Sequence, residues 1–512
     1  MPKKVKNKVK TSKADHIVEE GLLSFARRNY YEYGMSVIED RAIPDAFDGQ
    51  LPVTRRGLYS AYDMGVRSNA KYVKAARVVG DTMGRFHPHG DSSIYSSLVN
   101  MAKLNPIIPY VDGMGNWGTF SEPRPSAMRY TEMRLSKFAD EVLFNKFYTP
   151  VMFNEWMVPN YDGSFTEPLR LPALLPVSVL NGKSGVAPGA TTDIPAFTSK
   201  SVLKTLSKIY GGEEITAKLL YNNLEFTTDH GGVEVEPATA EAKQDRMGVF
   251  KGTRGRVLFK STTSWNERTL TLTITKFANV GSILSKPKKK NDDKEKKETG
   301  LLDRLLDIEG VADARDDSTK TDRHAVVNVV LKKGLTPKMQ AAILKHIRKK
   351  ILTKRENYVL NFTERYVDSE GQAAARMKPM SIVTFFTEWV KWRIELERKA
   401  CAHWMVECKK RIRLLELMLL AVDNLDIIFK ALKQKFTREE LDHHLAKKLK
   451  IKVEEANVIS GMRVYQLQAL EKSKLLGKKK EEEKEFKTLE TRQKKPFPFM
   501  IDQLKSFPLP EE

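Results

Sequence analysis

Cysteine is nearly absent from this chain: two residues, Cys401 and Cys408, in 512. So few exclude a disulfide-built scaffold and fit a reducing compartment, so a cytoplasmic location is expected. No apolar run reaches the roughly 18 residues that a membrane-spanning helix needs. The N-terminus carries Lys3, Lys4, Lys6, Lys8, Lys10 and Lys13 with no apolar stretch after them. That pattern excludes a secretory signal and reads as a solvated basic arm. Acidic residues are also short, 65 against 87 Lys plus Arg, a net charge of +22 with His neutral. An excess of this size favours a polyanionic partner, with nucleic acid first.

Nucleotide and metal motifs fail when their context is read. Gly113–Gly118 (GMGNWG) matches GxGxxG literally, but Thr119–Pro125 (TFSEPRP) follows with two prolines. No helix can start there, so the glycines shape a tight loop. Gly182-Lys183-Ser184 ends like a phosphate-binding loop, yet Val177 stands where the motif needs glycine. Cys401, His403 and Cys408 fall on a helical stretch. Their spacing suits neither a disulfide nor zinc, so they read as buried small residues. His87-Pro88-His89-Gly90-Asp91 alternates ligand types, but its Pro and Gly argue for a turn leading into a helix capped by Asp91. Phosphate contact at that helix start is favoured over a metal.

What is present is dense and ordered. The length suggests roughly three domains at about 150 residues each. Helices are expected near 18–38, 53–66, 71–84 and 91–103, a succession that suits a helix-turn-helix module. From about 165 to 365 the text is strand-rich, with Thr269–Thr275 (TLTLTIT) and His324–Leu331 (HAVVNVVL) as strands. Lys286–Glu298 (KPKKKNDDKEKKE) interrupts it as a charged low-complexity loop. Ser381 to about Val422 reads as one helix, spanning roughly 60 Å at 1.5 Å per residue. A second stretch from about Val453 to Glu490 is expected to pair back as an antiparallel coiled coil. Residues 51–130 hold ten Lys/Arg and five Asp/Glu, a local +5.

Four blocks then carry a resemblance. Asp40–Tyr59 (DRAIPDAFDGQLPVTRRGLY), Lys74–Asp91 (KAARVVGDTMGRFHPHGD), Ala127–Leu135 (AMRYTEMRL) and Leu174–Pro195 (LLPVSVLNGKSGVAPGATTDIP) stand in one order. In that order they resemble the breakage-reunion subunit of the type IIA DNA topoisomerases, the gyrase A and topoisomerase IV A family. The match runs weakly on to about residue 490. Within the family the compact length is most like the medium subunit of T4-like phage topoisomerases. A topoisomerase IV subunit without its tail is the near alternative.

The resemblance implies an α+β multidomain fold. A winged-helix DNA-gate domain would span 17–165, after the basic arm 1–16. A mixed α/β tower domain would span 166–375. A long antiparallel coiled-coil arm with a C-terminal dimer gate would span 376–500, before a tail at 501–512. It implies that Tyr130 attacks a DNA phosphodiester and holds the 5′ phosphate, with Arg129, Arg41 and His89 joining it. A phenol with a pKa of about 10 is a weak nucleophile at pH 7, so cationic surroundings suit that role. Arg129 is adjacent, and on a strand it would point to the opposite face. Arg55, Arg56, Lys74, Arg77 and His87 would hold backbone phosphates without reading sequence. Ser92 and Ser96 occupy positions tied in the family to quinolone response, although position 96 is more often acidic there. Val186 stands where an isoleucine usually wedges between base pairs. Leu51 and Thr54 replace the usual Lys and His.

With no phosphate-binding loop and no acidic metal block found, Mg²⁺ and ATP are expected through a separate ATPase subunit, in a complex with two copies of each chain. The missing DNA-wrapping domain favours relaxation or decatenation over supercoiling. A phage-encoded chain would work in the host cytoplasm. A non-catalytic architectural DNA binder, with a winged helix and coiled-coil dimerisation, would need no AMRYTE block beside HPHGD. A tyrosine recombinase would place its tyrosine near the C-terminus.

Overall fold

The computed structural model describes residues 22–102, 108–118, 124–228, 230–278, 283, 300–318, 325–434, 436–461 and 472–509. The N-terminal arm and the charged segment 286–298 lie outside them.

Helix α1 (Leu22–Val37) runs into a single π turn, Ile38–Ala42. Three helices follow: α2 (Pro52–Asp63), α3 (Ala75–Arg85) and α4 (Asp91–Ala102). Pro52 opens α2 where its missing N–H costs nothing. Strands β1 (Val73–Lys74), β2 (Val111–Met114) and β3 (Glu132–Leu135) form one small antiparallel sheet with β3 central. All three helices press on one core with that sheet through Leu58, Val78, Ile94, Leu98 and Met133. The expected helix bounds hold within a few residues where they can be compared; 18–21 and 103 lie outside the described residues. Asp91 is a correction: it is the first helical residue, and its carboxylate accepts from the Ser92 N–H at 2.7 Å. Gly90 precedes the helix, and its carbonyl takes the Ser93 N–H.

Next, β4 (Lys183–Ala187) and β5 (Ala190–Ile194) form a hairpin at the edge of a five-stranded sheet. A second sheet of four strands contains Thr271–Lys276 and Val327–Leu331, close to the expected strands. Every paired strand in both sheets is antiparallel. The region is thus an antiparallel mixture of helices and strands, consistent with the expected α+β class. A further ribbon, β6 (Asn361–Val367) with β7 (Ala373–Pro379), returns to the start of the chain, where Asp45 bridges Thr363.

Helix α5 (Ile382–Asp423) has Ser381 as its cap, with the Ser381 hydroxyl accepting the Thr384 N–H at 3.1 Å. The return helix is α6 (Lys472–Lys494), followed by α7 (Phe497–Leu504). Lys472 pairs with Asp423, Lys479 with Glu416, Arg411 with Glu482 and Arg492 with Glu397. Partner numbers fall as α6 numbers rise, so the two helices are antiparallel. The expected single helix from 453 to 490 is corrected. Val453–Ser460 instead belongs to a cluster of short helices at the far end, packed around Leu417, Ala421, Ile428, Leu445 and Ile459. At the near end, Arg393 and Glu397 are fully buried with Tyr148 and Gln503. Cys401 and Cys408 are free and buried, as expected. Cys408 meets Glu482 and Glu485, but Arg411 donates to both the Cys408 sulfur and Glu482 and fills the position a cation would take. Among the described residues, no helix is long and apolar enough to cross a membrane.

Candidate nucleic-acid interface and tyrosine site

Two carboxylates in the Asp40–Tyr59 block fix the frame. Asp45 is wholly buried and accepts both Arg170 Nε and Nη2 at 2.9 Å, with the Phe47 N–H at 2.8 Å. Burial alone would raise its pKa, but the Arg170 guanidinium overrides that and holds it at about 2. Asp48 accepts Arg55 Nε at 2.6 Å and Nη2 at 2.8 Å, plus the Leu171 N–H at 2.9 Å. Arg55 is therefore a correction. It is 3% exposed and locked between Asp48 and the Gln50 carbonyl, so it cannot reach a phosphate.

Arg41 lies exposed on the π turn, and that turn packs on the β4–β5 hairpin through Ile38, Ala42, Ala187 and Ala190. Gly185 permits the approach: a Cβ there would stand 1.9 Å from the Ala42 carbonyl oxygen. Val186, next to the hairpin tip, is 75% exposed, so it is not a core valine. The same packing thus holds Arg41 and the apolar tip.

Arg56 is partly buried and bidentate to Glu167, at 2.6 and 2.7 Å, and its Nη1 lies 3.0 Å from His87 Nδ1. His87 is buried, and its ring stacks on exposed His89 at 4.3 Å between centroids. Burial first, then the neighbouring Arg56, His89 and Arg41, push the His87 pKa down to about 4. His87 is therefore neutral at pH 7, a hydrogen-bonding group rather than a cation. Arg41, Arg56, His87 and His89 form one cluster.

Tyr130 stands apart from it. Its N–H bonds the Ala127 carbonyl at 2.9 Å in a turn, and β3 begins only at Glu132. The strand geometry expected for Arg129 is thereby corrected: its guanidinium lies over the Tyr130 ring, 4.7 Å from the centroid. The turn also caps α3. The Thr131 and Met128 carbonyls accept the Ala75 and Ala76 N–H groups, donors that a helix start leaves unmet. Thr131 is buried, its hydroxyl 2.9 Å from the Tyr95 hydroxyl of α4. The backbone is therefore anchored on both sides while the Tyr130 ring is 63% exposed. Among the described residues, its hydroxyl has no hydrogen-bond partner, and no contact joins it to Arg41 or His89 within this chain.

Of the other expected contacts, Arg77 is exposed on α3 and has no ion pair among the described residues. Lys74 is half exposed and pairs with Glu132 at 2.7 Å. Ser92 and Ser96 are exposed on α4, where the Ser96 hydroxyl donates to the Ser92 carbonyl. A cleft of about 540 Å³ runs between α4 and the base of the hairpin, lined by Leu51, Thr54, Asn100, Lys183 and Ser184 among others. Both departures from the family pattern, Leu51 and Thr54, face this cleft. Sequence reading missed Glu167 and Arg170, whose partners lie more than a hundred residues away; Asp45 and Asp48, just before an Arg pair, were an available sign.

An α+β chain with an exposed tyrosine under Arg129 and a separate arginine-histidine cluster presents a candidate phosphodiester-handling site. Residues 41–505 match the family model for the A subunit of DNA gyrase/topoisomerase IV, and the chain belongs to that family. It is 29% identical to the DNA topoisomerase 4 A subunit of Salmonella typhimurium over 469 residues, covering 91% of this chain and 58% of that protein. It is 30% identical to the DNA gyrase A subunit of Helicobacter pylori over 464 residues, 90% and 52%. A similar match is the DNA gyrase A subunit of Kosmotoga olearia, 30% over 453 residues, 88% and 52%. The chain spans a little over half the length of these relatives.

Proposed function

We propose that this chain is the DNA-cleaving and rejoining subunit of a type IIA topoisomerase, relaxing or decatenating duplex DNA. The carrying observation is Tyr130: a rigidly anchored turn presents an exposed phenol beneath a guanidinium. In the reaction the Tyr130 oxygen attacks phosphorus, its proton leaves to a base, and the deoxyribose 3′ oxygen departs and is protonated. The 5′ phosphate stays on the tyrosine, and the reverse step restores the phosphodiester. Arg129 offsets charge developing at the phosphate. Arg41 and His89 would reach that phosphate once DNA bridges the two clusters. Arg56, Lys74 and Arg77 would position the backbone, Ser92 would meet DNA from α4, and Val186 would enter a base step.

On this reading residues 17–165 are a winged-helix gate, 166–375 a tower, and 376–500 a coiled-coil arm ending in a dimer gate. The chain works as a homodimer in the cytoplasm, the host's if a T4-like phage encodes it. The carboxylates of Glu167 and Asp48 are committed to Arg56 and Arg55, so neither is free to hold Mg²⁺. Mg²⁺ and ATP are assigned to a partner subunit. The test mixes the chain with its ATPase partner, supercoiled DNA, Mg²⁺ and ATP, and stops with detergent. Protein-linked breaks from wild type and none from Tyr130→Phe, with DNA binding retained, support the function. Equal breaks from both would refute it.

A further inference from the structure

The contact between Arg56 and His87 has a chemical consequence. A guanidinium can donate hydrogen bonds but cannot accept one. At 3.0 Å from Arg56 Nη1, His87 Nδ1 must therefore be the acceptor and carry no proton. The ring proton of neutral His87 then sits on Nε2. That atom has no protein partner among the described residues and is not among the enclosed, unsatisfied polar atoms. Arg56 is itself held by the two oxygens of Glu167, a residue 6% exposed and 111 positions away in sequence. Stacking on His89 fixes the plane of the His87 ring. Three side chains thus determine which nitrogen carries the proton and where it points.

We infer that Glu167 is a positioning residue: through Arg56 it fixes His87 as an Nε2–H donor aimed at a backbone phosphate oxygen. This rests on the proposed DNA-cleaving function for its purpose but not for its geometry. A neutral donor suits the position. Arg56 and Arg41 already supply positive charge, so a further cation there would face like neighbours. Second-layer carboxylates orient metal-binding imidazoles by the same logic, and losing one typically lowers function about 10–100-fold. The structural alternative is that Glu167 merely ties α2 to the strand Thr166–Pro168.

Two readouts separate the two. First, ¹⁵N-histidine-labelled full-length chain without DNA gives the tautomer of His87, assigned by its loss in His87→Asn. Wild type should show neutral His87 protonated at Nε2 from pH 8 to 5. Glu167→Ala should show mixed tautomers, and Glu167→Asp partial recovery. Second, the yield of protein-linked breaks should fall about 10–100-fold in Glu167→Ala, on the scale of an orienting group's loss. Nδ1 protonation in wild type, or an unchanged tautomer and break yield in Glu167→Ala, would overturn the inference. If Glu167→Ala fails to fold, Arg56→Lys decides: an ammonium cannot hold both partners in the same fork, so the tautomer should again become mixed, and an unchanged one would overturn the inference. Absence of breaks from wild type would count against the proposed function, whereas the tautomer would still decide the relay.

Discussion

Two regions of this molecule use the same materials to opposite ends. At the base of the long helix pair, Arg393, Arg492, Glu397 and Tyr148 close on one another: the Tyr148 hydroxyl donates to Glu397 at 2.7 Å and accepts from both arginines at 2.9 Å. Arg393 is 1% exposed and Glu397 is fully buried. Around Tyr130 the arginines and aromatic rings are left open, with the phenol 63% exposed and Arg77 and Arg41 facing outward. A network closed largely on its own members, with only the Arg393 Nε left unmet, locks elements together. The second region leaves Arg41 and Arg77 exposed, while Arg56 and Lys74 have their own carboxylates in Glu167 and Glu132. Between them lies the Asp45–Arg170 and Asp48–Arg55 frame, closed like the first region but carrying the second.

Breaking the closed region should have the largest effect. Glu397→Ala leaves buried Arg393 and half-buried Arg492 without their carboxylate and should cost about 3–5 kcal/mol of stability, read by urea unfolding. Arg55→Ala should behave likewise, at about 3 kcal/mol, because it orphans buried Asp48. The salt dependence of DNA binding should be the same in Arg55→Ala as in wild type; a shallower slope would return Arg55 to the phosphate-contacting set. Acid should act on the frame in a defined window. The Asp45 carboxyl is held at about 2, below its ordinary value of about 3.9. Its contribution is thus complete above about pH 4 and lost as pH falls toward 2. His87, held at about 4 when folded, favours the unfolded chain as pH falls from about 6.5 to about 4. Both signs agree, so unfolding free energy should decline steadily below about pH 6.5, and a flat profile between pH 7 and 4 would be inconsistent with this assignment.

The open region should answer differently. Arg77→Ala should change stability by no more than about 0.5 kcal/mol. It should reduce the slope of log K against log salt by about 1. Smallest is Val186→Ala, which should leave binding near wild type but reduce DNA bending, measured by fluorescence transfer between duplex ends. Unaltered bending would leave Val186 without a wedging role.

The sequence exposed what depends on local pattern. The span of α5 was legible to within a residue, because its apolar spacing and Ser381 cap are local signals. Tyr130 was legible from a block nine residues long. What stayed hidden depends on partners far along the chain. Arg55 and Arg56 are neighbours of one type, yet Asp48 draws the first inside while Glu167 turns the second toward His87. No periodicity distinguishes them. The turn that brings Arg129 over the Tyr130 ring was likewise read as strand, since the hydrogen bonds that set it come from Ala127 and from the start of α3. Val453–Ser460 escaped as a separate short helix because its packing partners, Leu417 and Ala421, lie far back in the chain.

The central claim is that Tyr130 is the group that joins DNA. Detergent-trapped complexes from the chain and its ATPase partner can be digested and mapped by mass spectrometry for the residue holding the nucleotide. A single site is expected, Tyr130, carrying a 5′ phosphate, with a free 3′ hydroxyl on the other end. A link at any other residue, or a 3′ phosphate on the protein, would contradict it.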